Sequence, residues 1–222
     1  IKGHAIAEFW RWVSSWAVSL RMPSDMGFSD DGFVLPELAI HNHVVAADYS
    51  TAQGTLFPLL ASSLSERRDA RRNSISERVA QACEIVNREP NEQWLIWCDY
   101  NAEADALGKA LPDAIEIRGS DKAETKAKRM LDFTDGRIRI LVTKPSIAGH
   151  GMNWQNCARL CFVGISDSYE QFYQATRRSW RFGQTRPVLV HLVTAESEVG
   201  VLDVLERKRA AHEEMQRRMV EA

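Results

Sequence analysis

Gln174 to Gln184 reads QATRRSWRFGQ, which puts Arg177, Arg178 and Arg181 within five positions in a chain of net charge −2. If the run is helical, at 100° per residue, Gln174, Arg178 and Arg181 fall within about 60° of one another. Arg177 then lies about 60° to one side of Gln174. Guanidiniums so close repel one another unless an anion compensates, and the planar fork of arginine matches phosphate oxygens. Two readings follow: recognition of a phosphate, or pairing with carboxylates of the fold, for which Glu170 is close by. Gly183 sits where a helix C′ glycine belongs.

A second stretch, TKPSIAGHGMNW (143–154), contains Gly149-x-Gly151-x-Asn153. Glycines let the backbone approach a ligand closely, and Asn153 can bridge backbone groups; an ordinary tight strand-to-helix turn is the other reading. The chain has neither a GxGxxG dinucleotide fingerprint nor a GxxxxGK[ST] P-loop, so by itself it holds no phosphate cradle for a nucleotide.

Both stretches need elements to position them. Ser74 and Glu77 form a capping-box signature ahead of a helix that must stop near Pro90. Apolar strands are expected at 94–98, 114–117, 138–143, 159–163 and 188–193, separated by helices at about 101–110, 121–134 and 168–181, with a last helix from about 197. Strands apolar throughout and alternating with helices imply a parallel sheet covered on both faces. The fold class is therefore α/β: three layers, a mostly parallel sheet and a helical N-terminal appendage. In such sheets function gathers at loops beyond the carboxyl ends of strands, where both stretches fall. Ahead of this region, Phe9, Trp12, Val13, Trp16, Ala17 and Leu20 repeat at helical spacing, Pro23 ends that helix, and a short strand is expected at His41–Asp48.

Composition narrows the function classes. With 28 Lys+Arg against 30 Asp+Glu, nucleic-acid binding would have to rest on a local patch. Cys83, Cys98, Cys157 and Cys161 form no CxxC pair and read as small buried hydrophobes, with no metal site. No apolar run approaches a membrane span, and a cytoplasmic protein is expected. The chain begins at Ile1 without methionine, which suggests a piece of something longer. His41-Asn42-His43 spells a nuclease family's name without that family's arrangement, so a strand end is expected there. Trp10, Trp12 and Trp16 are expected in core packing against this lobe or a missing one, with a docking or stacking surface as the alternative, and the Arg67-Arg68/Arg71-Arg72 group on a solvated face, with phosphate contact as its alternative.

The residues carry a family resemblance. QATRRSWRFGQ resembles motif VI of superfamily 2 helicases, in the Swi/Snf-like form ending R-x-G-Q. LVTKPSIAGHGMNW resembles motif V, WLIWCDYNAEADAL motif IV with its helix, and IRGSDKAETKAKRMLDFTDG the segment that follows. RPVLVHLVTAESEVGVLDVLERK resembles the final strand and closing helix, so the likeness spans roughly 74–210 in the right order. Departures at Arg177, Ala148, His150 and Trp180 look more like bacterial or phage helicase-like proteins than eukaryotic chromatin motors.

The resemblance implies the second RecA-like lobe of an ATP-driven nucleic-acid motor. Residues 74–222 would form that lobe with its closing helix, and 1–73 a helical linker to a first lobe absent from this chain. ATP with Mg2+ would be held mainly by the first lobe. Arg178 and Arg181 would be arginine fingers, with Gln174 at the same cleft. Gly149, Gly151 and Asn153 would approach the nucleotide, and Thr143, Lys144, His150 and Arg118 the nucleic acid. The partners would be DNA, with RNA as an alternative, and the first lobe. A helicase-like binding module without catalysis, and an unrelated α/β phosphate-binding enzyme, are the competing readings.

Overall fold

Strands that are apolar at every position must bury both faces, and the register of this sheet shows how they do so. The computed structural model describes residues 5–20, 22–46, 69, 71–149, 151–166 and 168–221. Its strands are β1 (Leu38–Val45), β2 (Trp94–Trp97), β3 (Ala114–Glu116), β4 (Ile140–Thr143), β5 (Arg159–Phe162) and β6 (Val188–Ala195). They lie in the order β1-β6-β5-β2-β4-β3, every neighbouring pair parallel. The helices are α1 (Ile6–Ser14), α2 (Ile75–Arg88), α3 (Asn101–Ala110), α4 (Ala123–Thr134), α5 (Pro145–Ala148), α6 (Tyr169–Thr176) and α7 (Val199–Glu221).

Alternation along each strand divides the core in two. Trp94, Ile96, Ile140, Val142, Cys161 and Val193 face one way and pack on Val79, Ala82 and Val86 of α2 and Ala104 and Leu107 of α3. Leu95, Trp97, Leu141, Leu160, Phe162 and Val190 face the other way, onto Phe133 of α4, Phe172 and Ala175 of α6, and Val201 and Leu205 of α7. Helix, sheet and helix make the three layers of a RecA-like α/β fold. From β2 the chain runs outward to β3 and β4, then crosses back over β2 to β5. The loops after β2, β4 and β5 therefore meet at one end of the sheet, the carboxyl end, where ligands of such folds bind.

Several local expectations change. The strand expected at His41–Asp48 is β1, Leu38–Val45, paired over its whole length with β6. The sheet thus reaches past the boundary placed at 73, because an edge strand needs only one partner ladder and half-buried side chains. Helix α1 stops at Ser14, well before Pro23. The hydroxyls of Ser14 and Ser15 donate to the carbonyls of Arg11 (3.0 Å) and Trp12 (2.6 Å) and compete with continued helix. Trp12 and Trp16 are 59% and 65% exposed, so they do not join this chain's core; only Val13 of α1 is buried. The Ser74–Glu77 capping box does not form. Ser74 is the N-cap of α2, but its buried hydroxyl donates to Arg71 O (3.4 Å) and accepts from Arg78 Nε (3.0 Å).

A further change bears on the site. The helix expected across 168–181 ends at Thr176. Arg178 N and Ser179 N take tightened bonds to Ala175 O (3.2 Å) and Thr176 O (3.1 Å), and Arg178 O accepts from Trp154 N (2.8 Å) instead of prolonging the helix. Arg178 and Arg181 are consequently on the irregular turns after α6, not on one helical face with Gln174. Gly183, at φ +90°, closes those turns and does not cap α6.

Candidate active site

The loop after β4 and the turns after α6 are stitched together at Arg178. Its Nη1 donates to Met152 O (3.1 Å), its Nε to Gln174 O (3.0 Å) and its Nη2 to Gln174 Oε1 (3.4 Å), while its own carbonyl holds Trp154 N. A second contact lies close by, where a Cβ on Gly183 would come within 3.1 Å of Gln155 Nε2. Loop and arginines, separated by some 25 residues in the sequence, are one site in space.

Local sequence chemistry shapes the loop. Lys144 is the extended N-cap of α5, and Pro145 supplies its first turn. Gly149 follows with its N–H on Pro145 O (2.8 Å), and a Cβ there would collide with that carbonyl and lie 3.2 Å from Pro145 Cα. Gly151 has φ +84° and faces open space, so glycine is required there by conformation and not by crowding. Asn153 is exposed. His150 lies outside the described residues.

The charges are unbalanced. Among the described residues no carboxylate pairs with Arg177, Arg178 or Arg181, so pairing with Glu170 is not how the fold uses them. Arg177 rests over the rings of Trp180 (5.3 Å) and Tyr173 (6.0 Å). Burial, then the like charges of Arg181 and Arg177, push the Arg178 guanidinium below its ordinary pKa. Each of these effects would be relieved by an anion. Arg178 keeps donors in reserve after its three bonds.

The remaining expected residues are placed differently. Thr143 is buried at the end of β4, and its hydroxyl donates to Ile117 O (3.3 Å). Lys144 is half-buried at the carboxyl end of β4. Arg118 is enclosed by acids: it pairs with Asp105 and with Glu116 (2.6 Å), and its N–H bonds Asp121 Oδ2 (2.9 Å). Asp105 first, then Glu116, raises its pKa. Two further residues, Gln184 and Trp180, hold the site without being among the expected site residues. Buried Gln184 donates to Cys157 O and Ser179 O and accepts from Thr185 N and Arg186 N. Trp180 donates its indole N–H to Pro36 O (2.7 Å), fixing the N-terminal segment to the arginine turns. A polar residue beside glycine is the signal that could have marked Gln184.

Buried Cys98 and Cys157 have thiols pushed up to about 12, chiefly by burial, and Cys161 rises for the same reason. Such thiols are inert packing groups. Among the described residues no group of three or more His, Cys, Asp or Glu could hold a metal ion, and no helix is long and apolar enough to cross a membrane. The three guanidiniums of the arginine site suit phosphate oxygens.

The comparisons agree with this geometry: residues 77–183 match the helicase conserved C-terminal domain. The chain is 27% identical over 132 residues to the ATP-dependent helicase fft1 of Schizosaccharomyces pombe, covering 56% of this chain and 14% of that protein. It is 26% identical over 143 residues to the putative protein p41 of Acyrthosiphon pisum secondary endosymbiont phage 1, covering 61% and 30%. The chain thus spans well under half the length of these relatives. In fold it resembles the C-terminal part of the Fun30 ATPase domain, with TM-score 0.52 and 18% identity over 60% of this chain and 46% of that one.

Proposed function

We propose that this chain is the second motor lobe of an ATP-dependent DNA helicase or translocase, of bacterial or phage type, working in the cytoplasm. Its nucleotide site is shared with a first lobe in another part of the protein. The observation that carries this reading is the stitched pair of segments, in which Arg177, Arg178 and Arg181 have no carboxylate partner among the described residues. The sequence likeness to an ATP-dependent helicase and to a phage protein supports it.

In this reading Arg181 and the unused donors of Arg178 meet the β- and γ-phosphates when the lobes close, and Gln174 orients Arg178 through its side-chain oxygen. Gly149, Gly151 and Asn153 bring backbone to the same cleft. Mg2+ would be held mainly by the first lobe and would neutralise phosphate charge when bound. Charge builds on the transferring phosphoryl group, and a guanidinium delivered only on closure stabilises it, an effect of about 10³–10⁵ in rate where it has been measured. DNA, or RNA in its place, would be held through its phosphates, with Thr143 at the end of β4 and Lys144 and His150 after it in the sequence. Arg118 is a weak candidate for that role because Asp105 and Glu116 already occupy it.

Arg181→Ala in the full-length protein should abolish DNA-stimulated ATP hydrolysis while ATP binding persists. Unchanged turnover would reject the finger assignment and favour a binding module without catalysis.

A further inference from the structure

At the carboxyl ends of β2 and β5 lies a knot of charge. Arg78 and Glu103 are both wholly buried and pair at 2.7 Å. Arg78 also donates to Val163 O, the first residue beyond β5, and to Arg71 O. The second oxygen of Glu103 accepts Asp99 N (2.7 Å) and Tyr100 N (3.0 Å) in the loop after β2. Glu198, from the turn before α7, comes within 3.8 Å of Arg78 and bonds Arg71 at 2.8 Å, and Arg71 reaches on to Asp99 at 2.9 Å. A Cβ on Gly164 would lie 2.6 Å from Glu103 Oε1, so glycine leaves the space this carboxylate fills.

Burying a charge pair is costly, and apolar side chains of like volume often stabilise a fold as well or better. What such side chains cannot do is direct hydrogen bonds. The Arg78 fork fixes the carbonyl at which the chain leaves β5, and Glu103 fixes the two amides at which it leaves β2. Residues 164–168 then lead directly into α6 and the arginine turns. We propose that Arg78 and Glu103 are positioning residues for the phosphate-facing arginines: they set the exit of the chain from β5, so that Arg178 arrives against Met152 and Trp154 and Arg181 follows three positions on. This inference rests on the proposed phosphate role of those arginines.

The test is the double replacement Arg78→Met/Glu103→Leu in the full-length protein, alongside Arg181→Ala. The double variant should fold, keep KM for ATP within about twofold and lose turnover by about 10²-fold, the scale of a small misplacement at a distance. Amide exchange should quicken in 164–168 and 177–183 and stay unchanged in the central strands, a pattern that general loosening would not give. Gly164→Ala, which displaces Glu103, should reproduce both effects. Wild-type turnover in either folded variant overturns the proposal, and a double variant that cannot fold assigns the pair to stability and also overturns it. If Arg181→Ala itself keeps turnover, the reading of the site fails; if only the Arg78/Glu103 variant does, positioning alone fails.

Discussion

Arg178 and Arg181 stand three positions apart and are held in opposite ways. Arg178 ties Met152, Gln174 and, through its carbonyl, Trp154. Arg181 has no side-chain partner among the described residues, so its freedom is what a residue that meets its ligand only on closure requires. Hydrogen bonds from a charged group contribute about 1.5–3 kcal/mol each at most, and partial exposure lowers this. Arg178→Ala should therefore destabilise the chain by about 1–2 kcal/mol, and Arg181→Ala by less than about 0.5 kcal/mol. Chemical denaturation of the two variants checks this, and equal losses would contradict the division of labour. The two loop glycines contrast in the same way. Gly151→Ala meets only the left-handed backbone and should cost about 1 kcal/mol. Gly149→Ala must move the Pro145 carbonyl and should cost more, about 2–3 kcal/mol. A larger loss at Gly151 would mean that conformation, not crowding, limits this turn.

Among the elements, β1 is joined to β6 by side chains as well as by its ladder. His43 Nε2 lies 2.9 Å from His191 Nδ1, and His191 Nε2 is buried without a partner among the described residues. Burial first, then His43 and His41 of β1, Arg159 of β5 and Arg88 of α2, push His191 down to about 4. His43 is lowered too, by burial, His41 and Arg88 against the opposing pull of Glu84. A histidine with a lowered native pKa is protonated more readily when unfolded, so stability is whole above about pH 6.5 and falls as pH drops toward 4. His191 is not fully enclosed, and after solvent screening the loss should be about 1–2 kcal/mol. His191→Gln should flatten the pH dependence of Tm across that window; an unchanged slope would show that other groups govern it. The same strands show what a sequence can reveal. Apolar runs such as WLIWC and RLCFV announce themselves because both faces are buried. β1, with exposed His41 and Asn42, hides its place in the sheet, since an edge strand is defined by pairing and not by pattern. The order of the motifs was legible, but the end of α6 was not, because it depends on Trp154 reaching Arg178 O from another loop. Arg71 and Arg78 are least legible of all: arginine types read as surface, and only the meeting of Asp99, Glu103 and Glu198 in space buries them.

For the molecule as a whole, a net charge of −2 means that any hold on DNA is local, and the fold decides which cations can contribute. Arg71 and Arg72 are adjacent in sequence and unlike in the structure. Arg71 is buried between Asp99 and Glu198, whereas Arg72 is exposed, over the ring of Tyr100, with Asp69 at 4.0 Å. Each phosphate neutralised by a cation releases counterions and adds about 0.9 to the slope of log affinity against log salt for duplex DNA. Arg72→Ala should therefore reduce that slope by about 1 if Arg72 touches the backbone. Arg71→Ala should leave the slope alone and instead destabilise the fold by about 3 kcal/mol, since Glu198 is left buried and short of a partner. Titrations of duplex DNA at several salt concentrations, run beside thermal melts, separate the two. Equal slope changes would show that Arg71 leaves its carboxylates for the phosphate backbone, and the charge knot at the ends of β2 and β5 would then be part of the DNA-binding surface.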